Sequence, residues 1–317
     1  MTAATAPRRD DPGWYTPSDL PAAVIALDDP LRDALGVGSA GKVGVLDLAL
    51  APRGGVTRVW RHYQRTPLHV YRPIYLDAGR PDMAFLFLQQ SGDGLVQGDR
   101  YRIDIECAPG SATHVTTQAA TNVFGARENF ATQLVNLNVG AGAVLEYLPD
   151  PVVPFRASRL FQRTCVTADP EATVILGETL LPGRVAHRES HVYDLYWAET
   201  EVRRPDDTLV FADVLRLMPA AGDSPRSIGL LGRHDVVAAL YVLCARAELG
   251  DVAALLRTAL AGCHDVLSGV SELPNGSGVV VKVLGATSKT VQATLRTAWN
   301  AARVQLLGAP APNLRKG

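Results

Sequence analysis

Ile105-Glu-Cys-Ala-Pro-Gly-Ser-Ala112, Leu137-Asn-Val-Gly-Ala-Gly-Ala143 and Val166-Thr-Ala-Asp-Pro-Glu-Ala172 share one pattern. Each is the end of a strand, a tight turn of Gly, Pro, Ser or Asp, and an alanine that opens a second strand. The closing alanines fall 31 and then 29 residues apart. A strand pair of this size cannot bury its apolar face alone, so a repeat near thirty residues predicts stacked coils or layered sheets that share a core. Glycine and serine at the turn positions suit it, because tight hairpins demand backbone angles that they tolerate.

The same pattern extends outward. Tyr101, Ile103, Ile105 and Cys107 alternate with Arg102, Asp104 and Glu106, the signature of a half-buried strand. Upstream, Val43, Val45, Leu46, Leu48 and Leu50 run into a Pro52-Arg-Gly-Gly55 turn, which predicts another strand and its hairpin. After about residue 230 the period changes. Val252, Leu255, Leu256, Ala259 and Leu260 share one helical face within 251–263, residues 287–307 continue in the same period, and Gly278-Val-Val-Val-Lys-Val-Leu284 between them reads as a buried strand. The expected class is mainly β, a stacked or layered β-sheet scaffold with a few C-terminal α-helices. Residues 1–41, rich in Ala, Pro and Asp without sustained period, read as a poorly ordered arm, and 42–317 as a single β-rich domain.

Composition removes several function classes. Thirty-one Lys and Arg against 32 Asp and Glu leave a net charge of −1, with no basic surplus to neutralise nucleic-acid phosphates. The four cysteines, at 107, 165, 244 and 263, form no Cys-x-x-Cys pair, which disfavours structural zinc and reads as reduced core thiols. The longest apolar run, at 236–245, is far short of the roughly 20 residues that span a bilayer as a helix. The first thirty residues hold Arg8, Arg9, Asp10 and Asp11 and no continuous apolar stretch of signal length. A cytoplasmic location is expected, with neither nucleic acid nor membrane as a partner.

Catalytic motifs fail on inspection. Gly36-Val-Gly-Ser-Ala-Gly41-Lys42-Val43 fits a phosphate loop until its last position, where valine offers no hydroxyl for Mg²⁺, and it precedes a strand rather than a helix. His187 and His191 stand at i and i+4 but in turn and strand text, where such residues lie roughly 13 Å apart, so a solvated polar face is expected rather than a ligand pair. No G-x-S-x-G elbow occurs, and no catalytic residue is assigned. What stands out is four carboxylates in apolar or Gly-rich text: Asp99, Glu146, Glu178 and Asp213. Buried acids are expensive unless paired, so they either cap turns and pair with arginines such as Arg163, Arg184 or Arg216, or they form a hard-ligand path for a divalent ion.

Around these residues the chain resembles the UreD (UreH) family of urease accessory proteins. The matching runs, in family order, are Ser91-Gly-Asp-Gly-Leu-Val-Gln-Gly-Asp99, Thr116-Thr-Gln-Ala-Ala-Thr-Asn-Val-Phe124, Leu145-Glu-Tyr-Leu-Pro-Asp-Pro-Val152, Arg159-Leu-Phe-Gln-Arg-Thr164 and Leu176-Gly-Glu-Thr-Leu-Leu-Pro-Gly-Arg184. Weaker echoes run from Pro67-Leu-His-Val-Tyr-Arg-Pro73 to Leu306-Leu-Gly-Ala-Pro310, so the resemblance spans about 42–313. It implies a β-rich scaffold with a small helical part, a non-catalytic metallochaperone that binds apo-urease, docks through UreF to the nickel-carrying GTPase UreG, and conveys Ni²⁺ through a polar interior passage. No tightly bound cofactor is implied, only transient Ni²⁺. Asp99, Glu146 and Glu178 lie within the matching runs and Asp213 just beyond, which makes the four the passage candidates.

The chain departs from the family pattern at Asp82-Met83, where Cys-His is usual, and at Gln89-Gln90, where His-Pro-Pro is usual. Asp93 stands in place of a Gly, and Asn122 and Phe124 in place of Lys and Tyr. Two other readings stand beside the scaffold. One is a stacked-β hydrolase with Asp99 and Glu178 facing each other about 5 to 10 Å apart across a cleft. The other is an interaction module whose acids merely pair with cations.

Overall fold

The computed structural model describes residues 9, 11–17, 19–28, 41–222, 224–245 and 249–314. Residues 36–40 of the phosphate-loop look-alike lie outside them. Two sheets face each other. The first contains β1 (Val43–Arg53), β2 (Val56–Arg65), β5 (Arg100–Cys107), β8 (Ala131–Val139), β11 (Arg159–Ala168), β13 (Leu195–Arg203) and β14 (Leu209–Leu217). The second contains β3 (Leu68–Val70), β4 (Ala84–Gln90), β6 (Ala112–Thr117), β7 (Thr121–Val123), β9 (Val144–Tyr147), β10 (Val152–Pro154), β12 (Thr173–Leu180), β15 (Val236–Leu243), β16 (Val266–Glu272) and β17 (Gly278–Gly285).

The chain alternates between the sheets, and that alternation is the repeat. β5, β8, β11 and β13 stack in parallel in the first sheet, while β4, β6, β9 and β12 stack in parallel in the second. The three turn motifs are the corners from β5 to β6, β8 to β9 and β11 to β12. Gly110 donates its N–H to Ala141 O at 3.0 Å and Asp169 donates its N–H to Val139 O at 3.0 Å, so each corner is pinned to the next. Ala112, Ala143 and Ala172 are 3% exposed or less because a larger side chain has no room where coils stack.

Parity along each strand then decides what enters the core. In β5, Tyr101, Ile103, Ile105 and Cys107 point inward, as their alternation predicts, and meet Leu145, Tyr147, Val174 and Leu176 from the opposite sheet. In β9 and β12 the intervening Glu146 and Ile175 point outward, toward the helical part.

Of the arm, the described residues lie on the outer face of the first sheet. Two single turns, α1 (Pro12–Tyr15) and α2 (Ala22–Ile25), bracket the contact. Val24 is wholly buried with Phe130, Phe161 and Leu195, and Arg163 pairs with Asp19 at 2.6 Å. Two longer helices, α3 (Leu249–Leu260) and α4 (Ser288–Leu307), cover the outer face of the second sheet, as the change of period after residue 230 predicts. Val252, Leu256, Val291, Ala298 and Trp299 pack there on Ile175, Leu240, Val281 and Val283. Thr287 caps α4 through a hydrogen bond from Thr290 N at 3.2 Å, and Gly308 closes it at φ 65°. The run at 236–245 is strand for most of its length, and no helix among the described residues is long and apolar enough to cross a membrane.

Candidate functional site

The second sheet has a window. β9 stops at Tyr147 and β10 begins at Val152, and the intervening Leu148-Pro-Asp-Pro151 holds two prolines that lack the N–H a ladder needs. β6 likewise stops at Thr117 and β7 begins at Thr121, leaving residues 118–120 outside both strands. Opposite lies Gly177, where a Cβ would meet Leu148 Cδ2 at 2.8 Å, so glycine keeps that side of the frame thin. Gln118, Ala119, Ala120, Pro149, Asp150, Gly177, Glu178 and Thr179 line two spaces at once. One is a groove of about 640 Å³ on the outer side, walled by Gln292, Arg296 and Trp299 of α4. The other is a cavity of about 380 Å³ between the sheets.

The interior cavity is lined by a mixture of apolar and polar groups, many of the polar ones neutral. The first sheet contributes Gln133, Gln162, Thr164 and Tyr196, and the second contributes Gln89, Gln90, Thr117 and Tyr147. Gln162 is only 8% exposed, yet its Oε1 has no hydrogen-bond partner among the described residues. An orphaned buried carbonyl oxygen facing a polar cavity is a place for water or a cation. The cavity reaches Gly92 and Asp93 in an exposed loop, where Gly92 at φ 117° and Gly94 at φ 154° take the left-handed backbone and Asp93 does not.

Glu178 sits in the window and lines every one of these spaces. Thr200 of β13 donates its hydroxyl to Glu178 Oε1. Burial pushes the carboxyl above its ordinary value, with nearby Asp213 adding to the rise and Thr200 and Lys282 opposing it. A further cavity of about 80 Å³ joins Glu178 to Asp213, Tyr241 and Lys282. Asp213 accepts from Tyr241 at 2.5 Å and pairs with Lys282. Burial would raise the Asp213 carboxyl, but the Lys282 and Tyr241 contacts win and hold it below its ordinary value.

The other two candidates are elsewhere. Asp99 is 1% exposed and caps a turn, accepting from Lys42 N at 2.7 Å and Val96 N at 2.9 Å. It lines none of these spaces, so the facing Asp99 and Glu178 that a carboxylate-pair hydrolase requires are not assembled. Glu146 lies on the outer face beneath α4. His114 Nδ1 stands 2.6 Å from its Oε2, and Arg303 Nη1 donates to both of its oxygens at 3.0 Å. Burial would raise this carboxyl too, but His114 and Arg303 together keep it below the usual value. The two arginines Arg163 and Arg184 are engaged with other acids: Arg163 holds Glu199 and Asp19, and Arg184 holds Glu189. His187 is exposed in a 3₁₀ turn and His191 is buried beside Tyr193, so the two share no site. No group of three or more His, Cys, Asp or Glu able to hold a metal occurs among the described residues. Sequence does not distinguish Thr200, Gln162 or Lys282; strand register brings Thr200 and Lys282 to act on Glu178 and sets Gln162 in the lining of the same cavity.

The family model of the UreD urease accessory protein matches residues 42–317. The chain belongs to the UreD family. It is 43% identical over 289 residues to a urease accessory protein UreD 2 of Streptomyces griseus, covering 90% of this chain and 97% of the relative. It is 34% identical over 282 residues to UreD of Cenarchaeum symbiosum, covering 89% and 99%, and 37% identical over 283 residues to UreD of Haloarcula marismortui, covering 88% and 92%. Three of the runs that carry the UreD resemblance, at 116–124, 145–152 and 176–184, each contribute residues to the window frame.

Proposed function

We propose that this chain acts in urease maturation as a non-catalytic scaffold that binds apo-urease and passes Ni²⁺ toward its active site. The route runs from the groove under α4, through the window at Glu178, into the amide-lined cavity between the sheets. The observation that carries this reading is the window itself, a break in the second sheet where two spaces meet and where the buried carboxylate of Glu178 lines both. Hard oxygen donors suit transit, because they bind Ni²⁺ weakly enough to let it leave, whereas a Cys or His cage would retain it. A lining of Gln, Thr and Tyr lets the ion keep part of its water shell through bridging contacts. On this reading the nickel comes from the GTPase UreG through UreF, and the protein works in the cytoplasm beside its client.

The test is co-purification of tagged chain with apo-urease, UreF and UreG, followed by nickel-dependent urease activity with and without the chain. Complex formation and a requirement for the chain support the scaffold. Absence of binding to all three removes it.

A further inference from the structure

We infer that Lys282 is a tethered counter-ion for the carboxylates of the passage, standing in for the divalent cation when the path is empty and weakening its hold when the path is loaded. The inference rests on the cation-route reading and names the group that tunes it.

The placement follows from register. Glu178 of β12 pairs with Ala239 of β15, and Ala239 pairs with Lys282 of β17, so the three lie in one row across the second sheet. The middle member is a single methyl, which leaves the acid and the ammonium without bulk between them. On the first sheet Thr200 and Asp213 are register partners, and that row faces the other. The contacts close the ring: Thr200 donates to Glu178, Lys282 pairs with Asp213 and donates to the Tyr241 hydroxyl at 3.2 Å, and Tyr241 donates to Asp213.

A cation at Glu178 would find Asp213 across the small cavity and the unpartnered Gln162 Oε1 in the large one, a set of hard oxygens suited to a divalent ion. Lys282 opposes it, since its ammonium already pairs with Asp213 and acts electrostatically on Glu178, so an arriving cation meets a positive charge at the same acids. The side chain of Lys282 is 49% exposed, so its stem can swing the ammonium into water as the ion arrives and return it as the ion leaves. Two carboxylates without that lysine would bind the ion and keep it.

The experiment is calorimetric titration of Ni²⁺ into the purified full-length chain, as wild type, Lys282→Met, Lys282→Arg, Glu178→Gln and the Lys282→Met/Glu178→Gln double variant, each checked for folding by circular dichroism. Lys282→Met is expected to bind Ni²⁺ at least tenfold more tightly than wild type, Lys282→Arg to match wild type, and the double variant to lose the gain. Unchanged or weaker binding by a folded Lys282→Met overturns the role of Lys282, even where Glu178→Gln stops nickel delivery and the passage stands. Delivery by Glu178→Gln at the wild-type rate, with the gain persisting in the double variant, overturns the passage reading and this inference together.

Discussion

Replacing Arg303 with methionine should cost about 3–5 kcal/mol of stability, the usual penalty for breaking a buried ion pair by removing one partner. Arg303 is wholly buried, its Nη1 donates to both oxygens of Glu146 at 3.0 Å, and its Nη2 pairs with Asp77. One guanidinium thus serves two buried carboxylates and fastens α4 to β9 and to the segment before β4. Methionine keeps much of the volume, so the loss is electrostatic rather than a cavity effect. The assay is urea unfolding at pH 7. A second variant, Arg303→Met with Glu146→Gln and Asp77→Asn, removes the stranded charges and should recover more than half of the loss, because neutral replacements of buried ion pairs are commonly tolerated. The pH dependence has a definite sign. Glu146 titrates below its ordinary value of 4.5 when folded, so its contribution is complete above that value and is lost as pH falls through the lower folded one. Wild type should weaken in acid across that window, and Arg303→Met should weaken less. A loss under about 1 kcal/mol, or a triple variant less stable than the single one, would refute the reasoning.

Two further outcomes follow. Burial raises the Glu178 carboxyl when folded, so ionising it costs more in the folded chain, and stability from this group is lost as pH rises from the ordinary 4.5 through the higher folded value. Glu178→Gln should therefore gain in stability relative to wild type as pH rises above 4.5; a variant that loses ground as pH rises contradicts this. Gly278 opens β17 at φ 157°, and a Cβ there would meet the Val242 carbonyl oxygen at 2.1 Å. Gly278→Ala should cost at least about 1–3 kcal/mol in unfolding experiments, and a neutral result would mean that β15 and β17 are not held as described.

Much of the architecture was legible because it is local. The corners at 108–111, 140–143 and 169–172 announce themselves by Gly, Pro and Asp, and the alternation of β5 and the period of α4 need only a few neighbouring residues. The site was legible only in part, because it is made by register. Nothing near Glu146 in sequence names Arg303, which is 157 residues away on a helix that crosses the sheet. Leu148-Pro-Asp-Pro151 reads as a turn, and it becomes a window only because residues 118–120 interrupt the neighbouring strands at the same level and Gly177 faces it. Asp99 shows the converse: an acid after Gly98 in a family motif looks functional, yet its oxygens are taken by the N–H groups of Val96 and Lys42. Parity separates the remaining acids, since Glu146 falls on the outer face of the second sheet and Glu178 on the inner.

The central claim, that nickel crosses the second sheet at Glu178, is tested most directly by nickel-dependent activation of apo-urease with the Glu178→Gln chain in place of wild type, while co-purification with the partners is followed in the same samples. The account predicts unchanged complex formation and a clear loss in the rate of activation at limiting Ni²⁺. Activation at the wild-type rate by a complex built on Glu178→Gln would contradict it.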